Sequence, residues 1–593
     1  MPVPLEPGLP TTFAASMIPP ASPKPAGACC VRLPEIAIAI LALAATGAPA
    51  HTLYVKVPMR DGVKLATNVF LPDPSGRFPT LLIRTPYDKG TYLVSSYKTF
   101  LDHGYGVIVQ DVRGRYKSEG IFRSFSQETS DGDDTLNWIA KQAWSNGKVG
   151  MLGGSYLGIA QWRAALAQNP HLIAIFPVVA GSDEYRDRFY SRGGAVKLGH
   201  RLHWISENLK QPWPFQPDFN DYVRHLPVRT ADRIATGRDV DLWQESLNHP
   251  TYDDYWRTRS TWEHLSEIRT PAFIVAGWYD NYIEGDLDAF AYLSRRSAAH
   301  RLLVGPWPHN QTAPYPSGIS FGPEAYAPTR QYQLDWFNYW MRGTHPSPEF
   351  RFPRVRIFVM GINQWRDEDE WPLSRARLTS WYLDSNKGAN TLTGDGHLSP
   401  ERPTREDNDM YVYDPRKPAP TAGGALCCDP KVMPWGPMDQ RAVEGREDVL
   451  VYTSAALRQD LEVTGTVRVQ LWVSTSAPDT DFTAKLVDVF PNGHARNLCD
   501  GILRLRYREG LDKARLARPG EVYPIVFEIG VTSNVFRAGH RVRLEISSSN
   551  FPRFDRNPNT GRTVADDNEL RTARQTLYHG PARPSRLILP IVP

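Results

Sequence analysis

Unbroken apolar runs mark the first half of the chain, and alternating apolar and polar residues mark the second. The runs lie at 80–83, 107–109, 149–152, 173–179, 273–276 and 302–304, each bounded by turn residues and lacking a polar face. Strands of that kind are buried on both sides of a mostly parallel sheet, and the stretches between them are long enough for crossover helices. One such helix is read at 156–168, where Ile159, Trp162 and Leu166 recur on one face. Ahead of these runs, 52–58 and 65–71 are strand-like and joined by the turn Arg60-Asp61-Gly62, which predicts a hairpin.

Between 183 and 264 the rhythm breaks, and the chain becomes aromatic and helical, with Tyr185, Phe189, Tyr190, Trp204, Phe215, Tyr222 and Trp243. This predicts a helical cap inserted over the carboxyl ends of the strands, where ligands bind in open α/β sheets. Past 351 the period becomes two, at 467–473, 482–489, 522–529 and 541–546, between Gly, Pro and Asn turns. Half-buried antiparallel strands read this way. A β-sandwich of jelly-roll, galactose-binding-like type is the simplest closure. The expected partition is an α/β domain at 51–182 and 265–350, a cap at 183–264 and an all-β domain at 351–593.

The first fifty residues read as a proline- and alanine-rich leader followed by an apolar run at 36–45 that ends in Ala48-Pro49-Ala50. The run is too short to span a bilayer and resembles a secretory signal peptide, so a periplasmic or secreted location is expected, with a cytoplasmic one as the alternative.

Composition adds little until chemistry is considered. A chain of 593 residues exceeds one ordinary core. Its 68 basic and 64 acidic residues leave a formal charge of only +4, with no basic cluster to mark nucleic acid or an anionic membrane as partner. The 17 tryptophans and 26 tyrosines suffice to line a small-molecule pocket as well as cores. Assembly into a homo-oligomer is left open. The five cysteines, Cys29, Cys30, Cys427, Cys428 and Cys499, form no disulfide framework; no obligatory bridge is expected, although Cys427 and Cys499 are candidates for one in an oxidising compartment.

The chemistry concentrates in Gly153-Gly154-Ser155-Tyr156-Leu157-Gly158, at the junction of the 149–152 strand and the following helix. A serine at so sharp a turn exposes its hydroxyl above the sheet, with the N–H groups of a helix N-terminus behind it. Against the generic G-x-S-x-G pattern Leu157 stands where a glycine belongs, and the glycine comes one residue late. A dinucleotide loop is disfavoured, because the glycines at 150, 153, 154 and 158 lack the G-x-G-x-x-G spacing. A serine nucleophile needs a base, and the base a carboxylate. Asp280 follows the strand at 273–276 and His309 follows the strand at 302–304, so both emerge at the sheet edge that carries Ser155, in the order Ser, Asp, His. The Tyr156 N–H and the Tyr87 hydroxyl, in the loop after 80–83, are candidate donors to an oxyanion. Trp278, Tyr282, Phe189 and Trp204 are candidate pocket residues. His200 and His203 lack a third partner of metal-ligand spacing, and no metal is expected.

With Thr85-Pro86-Tyr87, Gln110-Asp111-Val112-Arg113-Gly114, Trp144-Ser145-Asn146-Gly147, Gly277-Trp278-Tyr279-Asp280 and Gly305-Pro306-Trp307-Pro308-His309, these residues resemble the cocaine esterase and X-prolyl dipeptidyl peptidase superfamily of serine hydrolases (the CocE/NonD type) from about 52 to 593. Leu157 and the late Gly158 fit that family's pattern. The resemblance implies an α/β-hydrolase domain, a helical cap and a C-terminal jelly roll. It also implies Ser155 as nucleophile, His309 as base, Asp280 as orienter, Tyr87 and Tyr156 as oxyanion hole, and no cofactor. Expected substrates are carboxylic esters or activated amides. X-Pro dipeptides, α-amino-acid esters and glutaryl-cephalosporins are alternatives, and an inactive glycan-binding protein is the alternative of another class. Amino-acid ester hydrolases of this group resemble one another in carboxylates two and three residues past the triad aspartate. Those positions here hold Tyr282 and Ile283, leaving Glu284, Asp183 or Asp187 to bind an amine.

Overall fold

The computed structural model describes residues 51–593 except Trp213, 346–351 and Cys428. The expected leader and signal peptide lie outside the described residues. Ten strands form the first sheet: β1 (His51–Pro58), β2 (Lys64–Leu71), β3 (Phe78–Thr85), β4 (Gly106–Asp111), β5 (Ser145–Gly154), β6 (Leu172–Val178), β7 (Phe273–Tyr279), β8 (Arg301–Pro308), β9 (Val355–Val359) and β10 (Gln364–Glu368). Their spatial order is β1-β2-β4-β3-β5-β6-β7-β8-β9-β10. From β4 to β9 neighbours run parallel, while the β1–β2 hairpin, the β2–β4 pair and β10 are antiparallel.

The unbroken apolar runs have a simple cause. Leu82, Ile108, Met151, Ile175 and Ile274 face one layer of helices, α2 (Glu128–Ala140), α3 (Tyr156–Leu166) and α9 (Ile283–Ser294). Leu81, Val107, Leu152, Phe176 and Val275 face the other layer, α1 (Ser95–Asp102) and α10 (Thr329–Phe337). Both faces are therefore dry, as a parallel sheet requires. Close approach of α2 to α3 depends on Gly132, where a Cβ would lie 2.9 Å from that of Ala164.

Between β6 and β7 the chain leaves the sheet. A π-helical turn (Glu184–Phe189) is followed by α4 (Leu198–Leu209), α5 (Phe219–Arg224), α6 (Ala231–Thr236), α7 (Asp241–Asn248) and α8 (Asp254–Arg257). These elements share a core of Tyr185, Phe189, Leu202, Trp243 and Trp256 with Met433, Trp435 and Phe551 of the C-terminal region. That region is all-β, an eleven-stranded and mostly antiparallel sheet, whose longest pair, Leu461–Thr475 with Tyr523–Phe536, runs in register from Leu461↔Phe536 to Val473↔Tyr523 around one bulge.

Two sequence expectations need correction. The catalytic sheet continues past 351, because β9 pairs parallel with β8 and β10 folds back on β9. Val355, Ile357, Phe358 and Val359 are buried there. The two sheets meet just after β9, where Met360 N–H bonds to Ser533 O at 3.0 Å and Val535 N–H to Met360 O at 2.9 Å. The bridge between Cys427 and Cys499 does not form: Cys499 is a free, buried thiol.

Candidate active site

Ser155 stands between β5 and α3 with φ 57° and ψ −125°, a conformation that costs a non-glycine residue roughly 1–3 kcal/mol and persists only where its surroundings impose it. They do so through main-chain bonds and close packing. Ser155 N–H donates to Val178 O at 2.9 Å, and its carbonyl accepts from Gly158 and Ile159 at 2.9 and 3.0 Å. A Cβ on Gly153 would lie 2.6 Å from that of Leu157, and one on Gly158 would lie 2.8 Å from that of Ala180. The displaced glycine thus has a physical reason. Leu157 folds over Gly153, so close approach to the end of β6 falls to the next residue, Gly158.

Asp280 and His309 follow the adjacent strands β7 and β8, whose register pairs Gly277 with Gly305. His309 Nδ1 lies 2.5 Å from Asp280 Oδ2, and Asp280 Oδ1 accepts the Tyr282 N–H at 2.8 Å. Asp280 is fully buried. An ionised carboxylate only accepts, so the ring proton sits on Nδ1 and Nε2 is left as a base. The Tyr282 ring stands edge-on to His309 at 5.5 Å. Burial pushes the Tyr282 hydroxyl up to about 12 against the pull of Arg201 and Arg188.

Tyr87 lies two residues past β3, its N–H held by Thr85 Oγ1 at 3.0 Å. Its hydroxyl accepts the indole N–H of Trp204 from the cap at 3.1 Å and lies near Ser155. Burial raises the phenol above its ordinary value, with the Trp204 bond, nearby Ser155 and then Arg201 and Arg115 opposing. The residue as a whole is 36% exposed. The hydroxyl stays protonated at neutral pH and is available to donate. Tyr156 opens α3, where N–H groups have no intrahelical acceptor. Its side chain is locked: the hydroxyl donates to Glu128 Oε1 at 2.9 Å, and the ring stacks on Phe125 at 4.9 Å and lies parallel to Trp204 at 6.3 Å. Glu128 is held by Arg84 at 2.5 Å, both buried.

A hydroxyl at a strained elbow, a carboxylate-held imidazole and two candidate donors to an oxygen anion form the constellation of covalent acyl transfer. The X-Pro dipeptidyl-peptidase (S15 family) pattern matches residues 61–311, and that of the X-Pro dipeptidyl-peptidase C-terminal non-catalytic domain matches 349–588. The cocaine esterase of Rhodococcus sp. (strain MB1 Bresler) is 41% identical over 569 residues, 91% of this chain and 98% of that one. The chain belongs to the S15 family of serine hydrolases.

Two solved structures share the architecture of this S15 hydrolase at a TM-score of 0.80. One is an α-amino acid ester hydrolase, 26% identical with 94% of this chain and 99% of that chain covered. The other is an aminopeptidase from the marine sediment archaeon Thaumarchaeota archaeon, 25% identical with 92% and 97% covered.

The candidate pocket residues separate. Trp204 and Tyr282 adjoin Tyr87 and His309 as described. Phe189 is embedded in the cap core against Trp243 and Trp256, with an edge on a cavity of about 650 Å³ between the 114–127 loop and the cap. Trp278 is displaced from the site: its indole N–H donates to Phe358 O at 2.7 Å and its ring packs on Trp371 in the core. Phe122 and Phe125, against Tyr156, and Arg188 and Arg201, on the cavity wall, escaped the sequence reading. Asp111-Val112-Arg113-Gly114 at the end of β4 was the signal for the first two, since it opens the loop that carries them.

The carboxylates considered for an amine are matched to cations. Asp183 caps the π-helical turn and takes Arg186 at 2.7 Å. Asp187 accepts two main-chain N–H groups at 2.8 Å and pairs with Arg192 at 3.5 Å. Glu284 shares a small cavity with Arg192, Lys197 and Arg553. Among the described residues no group of three or more His, Cys, Asp or Glu is placed to hold a metal, and no helix is long and apolar enough to cross a membrane.

Proposed function

We propose that the protein hydrolyses carboxylic esters of small molecules through an acyl-enzyme on Ser155. The observation that carries this reading is Ser155 held at a strained elbow, φ 57°, whose neighbouring strand ends hold the His309–Asp280 pair. His309 Nε2 takes the Ser155 proton as Oγ attacks the ester carbonyl, and Asp280 stabilises the imidazolium that forms. The carbonyl oxygen becomes an anion between the Tyr87 hydroxyl and the Tyr156 N–H. His309 then protonates the departing alcohol, and water repeats the sequence to release the acid.

Ester hydrolysis is favoured over dipeptide release because an N-terminal ammonium needs an unmatched carboxylate. Asp183, Asp187 and Glu284 instead face Arg186, Arg192 and Lys197. The test compares wild type and Ser155→Ala on p-nitrophenyl butyrate and Gly-Pro-p-nitroanilide. Ester turnover that the substitution abolishes, with the anilide turned over far more slowly, is expected. Preferential cleavage of the anilide by wild type overturns the ester reading in favour of a peptidase.

A further inference from the structure

The deep end of the 650 Å³ cavity carries more positive charge than its surroundings neutralise. Arg188 and Arg201 line it, 1% and 2% exposed. The buried carboxylate there, Glu184, pairs with Arg188. Arg201 forms no ion pair among the described residues, and its Nε has no hydrogen-bond partner. Asp239, Asp241 and Glu245, the other acids on the cavity wall, are exposed at its rim. Arg188 also donates to the carbonyls of Ala180 and Gly181 at 3.0 and 3.2 Å. Arg201 is less well served: one Nη donates to Arg188 O at 2.6 Å, and its Nε is buried without a partner. Burying an incompletely paired charge is costly unless a ligand completes it.

Arg201 also borders the chemistry. Its guanidinium carbon lies 6.0 Å from the Phe125 ring centre and 5.8 Å from that of Trp204, one turn along α4, whose indole holds Tyr87. Tyr282, whose hydroxyl lies within reach of the Arg201 charge, stands edge-on to His309. An enclosed subsite suits the acyl part of an ester, which stays on the enzyme after the alcohol has left.

We propose that Arg201, seconded by Arg188, binds a carboxylate at the far end of the acyl chain, so that the preferred substrates are half-esters of dicarboxylic acids. This rests on the ester reading above. Arg201 is then a specificity-determining residue, and the cavity has ample room for a six-carbon chain.

The experiment compares p-nitrophenyl hexanoate with the mono-p-nitrophenyl ester of adipic acid, identical in chain length and leaving group and different in the terminal carboxylate. Wild type is expected to show kcat/KM about 10- to 100-fold higher for the adipate ester, the range of a charge-assisted hydrogen bond. Arg201→Met brings the ratio towards one, and Arg201→Lys restores part of it. Free adipate is expected to inhibit hexanoate turnover by wild type competitively, a readout independent of how the variants fold. Equal or slower turnover of the adipate ester by wild type overturns the subsite while leaving the ester reading intact. Turnover of neither ester overturns the ester reading.

Discussion

The indole N–H of Trp204 donates to the Tyr87 hydroxyl at 3.1 Å, linking helix α4 of the cap to the loop after β3 beside Ser155. The cap therefore completes the site as well as covering it, because the phenol proposed to face the developing anion is oriented by an inserted element. Trp204→Phe removes the bond and keeps an aromatic ring beside Tyr156. A drop in kcat of about 10-fold with KM little changed is expected, while Tyr87→Phe, which deletes the donor, lowers kcat by roughly 100- to 1000-fold. Steady-state kinetics on a p-nitrophenyl ester measure both.

Asp280→Asn preserves volume and burial and changes what His309 Nδ1 meets. An amide NH2 facing Nδ1 favours the wrong tautomer, so kcat is expected to fall by about 10,000-fold with little loss of stability. A decrease below 10-fold contradicts the role given to the 2.5 Å contact.

The late glycine of the elbow is a packing requirement. Gly158→Ala puts a methyl 2.8 Å from the Ala180 Cβ, and overpacking of this kind costs typically about 1–3 kcal/mol. A lower urea midpoint and reduced activity are expected together, since the same contact sets the elbow. A midpoint equal to wild type argues against that coupling.

Acid stability has a predictable component at His300, buried at the start of β8, where Nδ1 accepts the Ala272 N–H at 3.3 Å. Burial, then Arg301 and Arg354, lower its value to about 4 from an ordinary 6.5. The unfolded chain takes up this proton first as pH falls. Stability from this group is complete above about 6.5 and declines from there to about 4, by a total on the order of 3 kcal/mol. Urea unfolding of wild type and His300→Gln at intervals from pH 7 to 4 is expected to show a shallower acid decline in the variant. Parallel curves contradict the assignment.

Much of the α/β framework was legible because burial on both faces leaves unbroken apolar runs. Ser155, Asp280 and His309 were legible because each ends such a run. What depended on distant pairing was hidden. Arg356 and the polar residues of β10 make 355–368 look alternating, and only the parallel pairing of β9 with β8 places it in the catalytic sheet. Trp278 sits beside Asp280 in sequence, yet its indole is claimed by Phe358 O on β9. Arg188 and Arg201 were passed over because arginines on helices are usually solvated. Only the packed cap shows them buried.

The most direct test of the account is active-site labelling with phenylmethylsulfonyl fluoride followed by peptide mass spectrometry. The account requires one sulfonyl group per chain, on the peptide containing Ser155, appearing in step with loss of ester turnover and absent from Ser155→Ala. Loss of turnover with Ser155 unmodified, or ester hydrolysis surviving in Ser155→Ala at the wild-type rate, contradicts it.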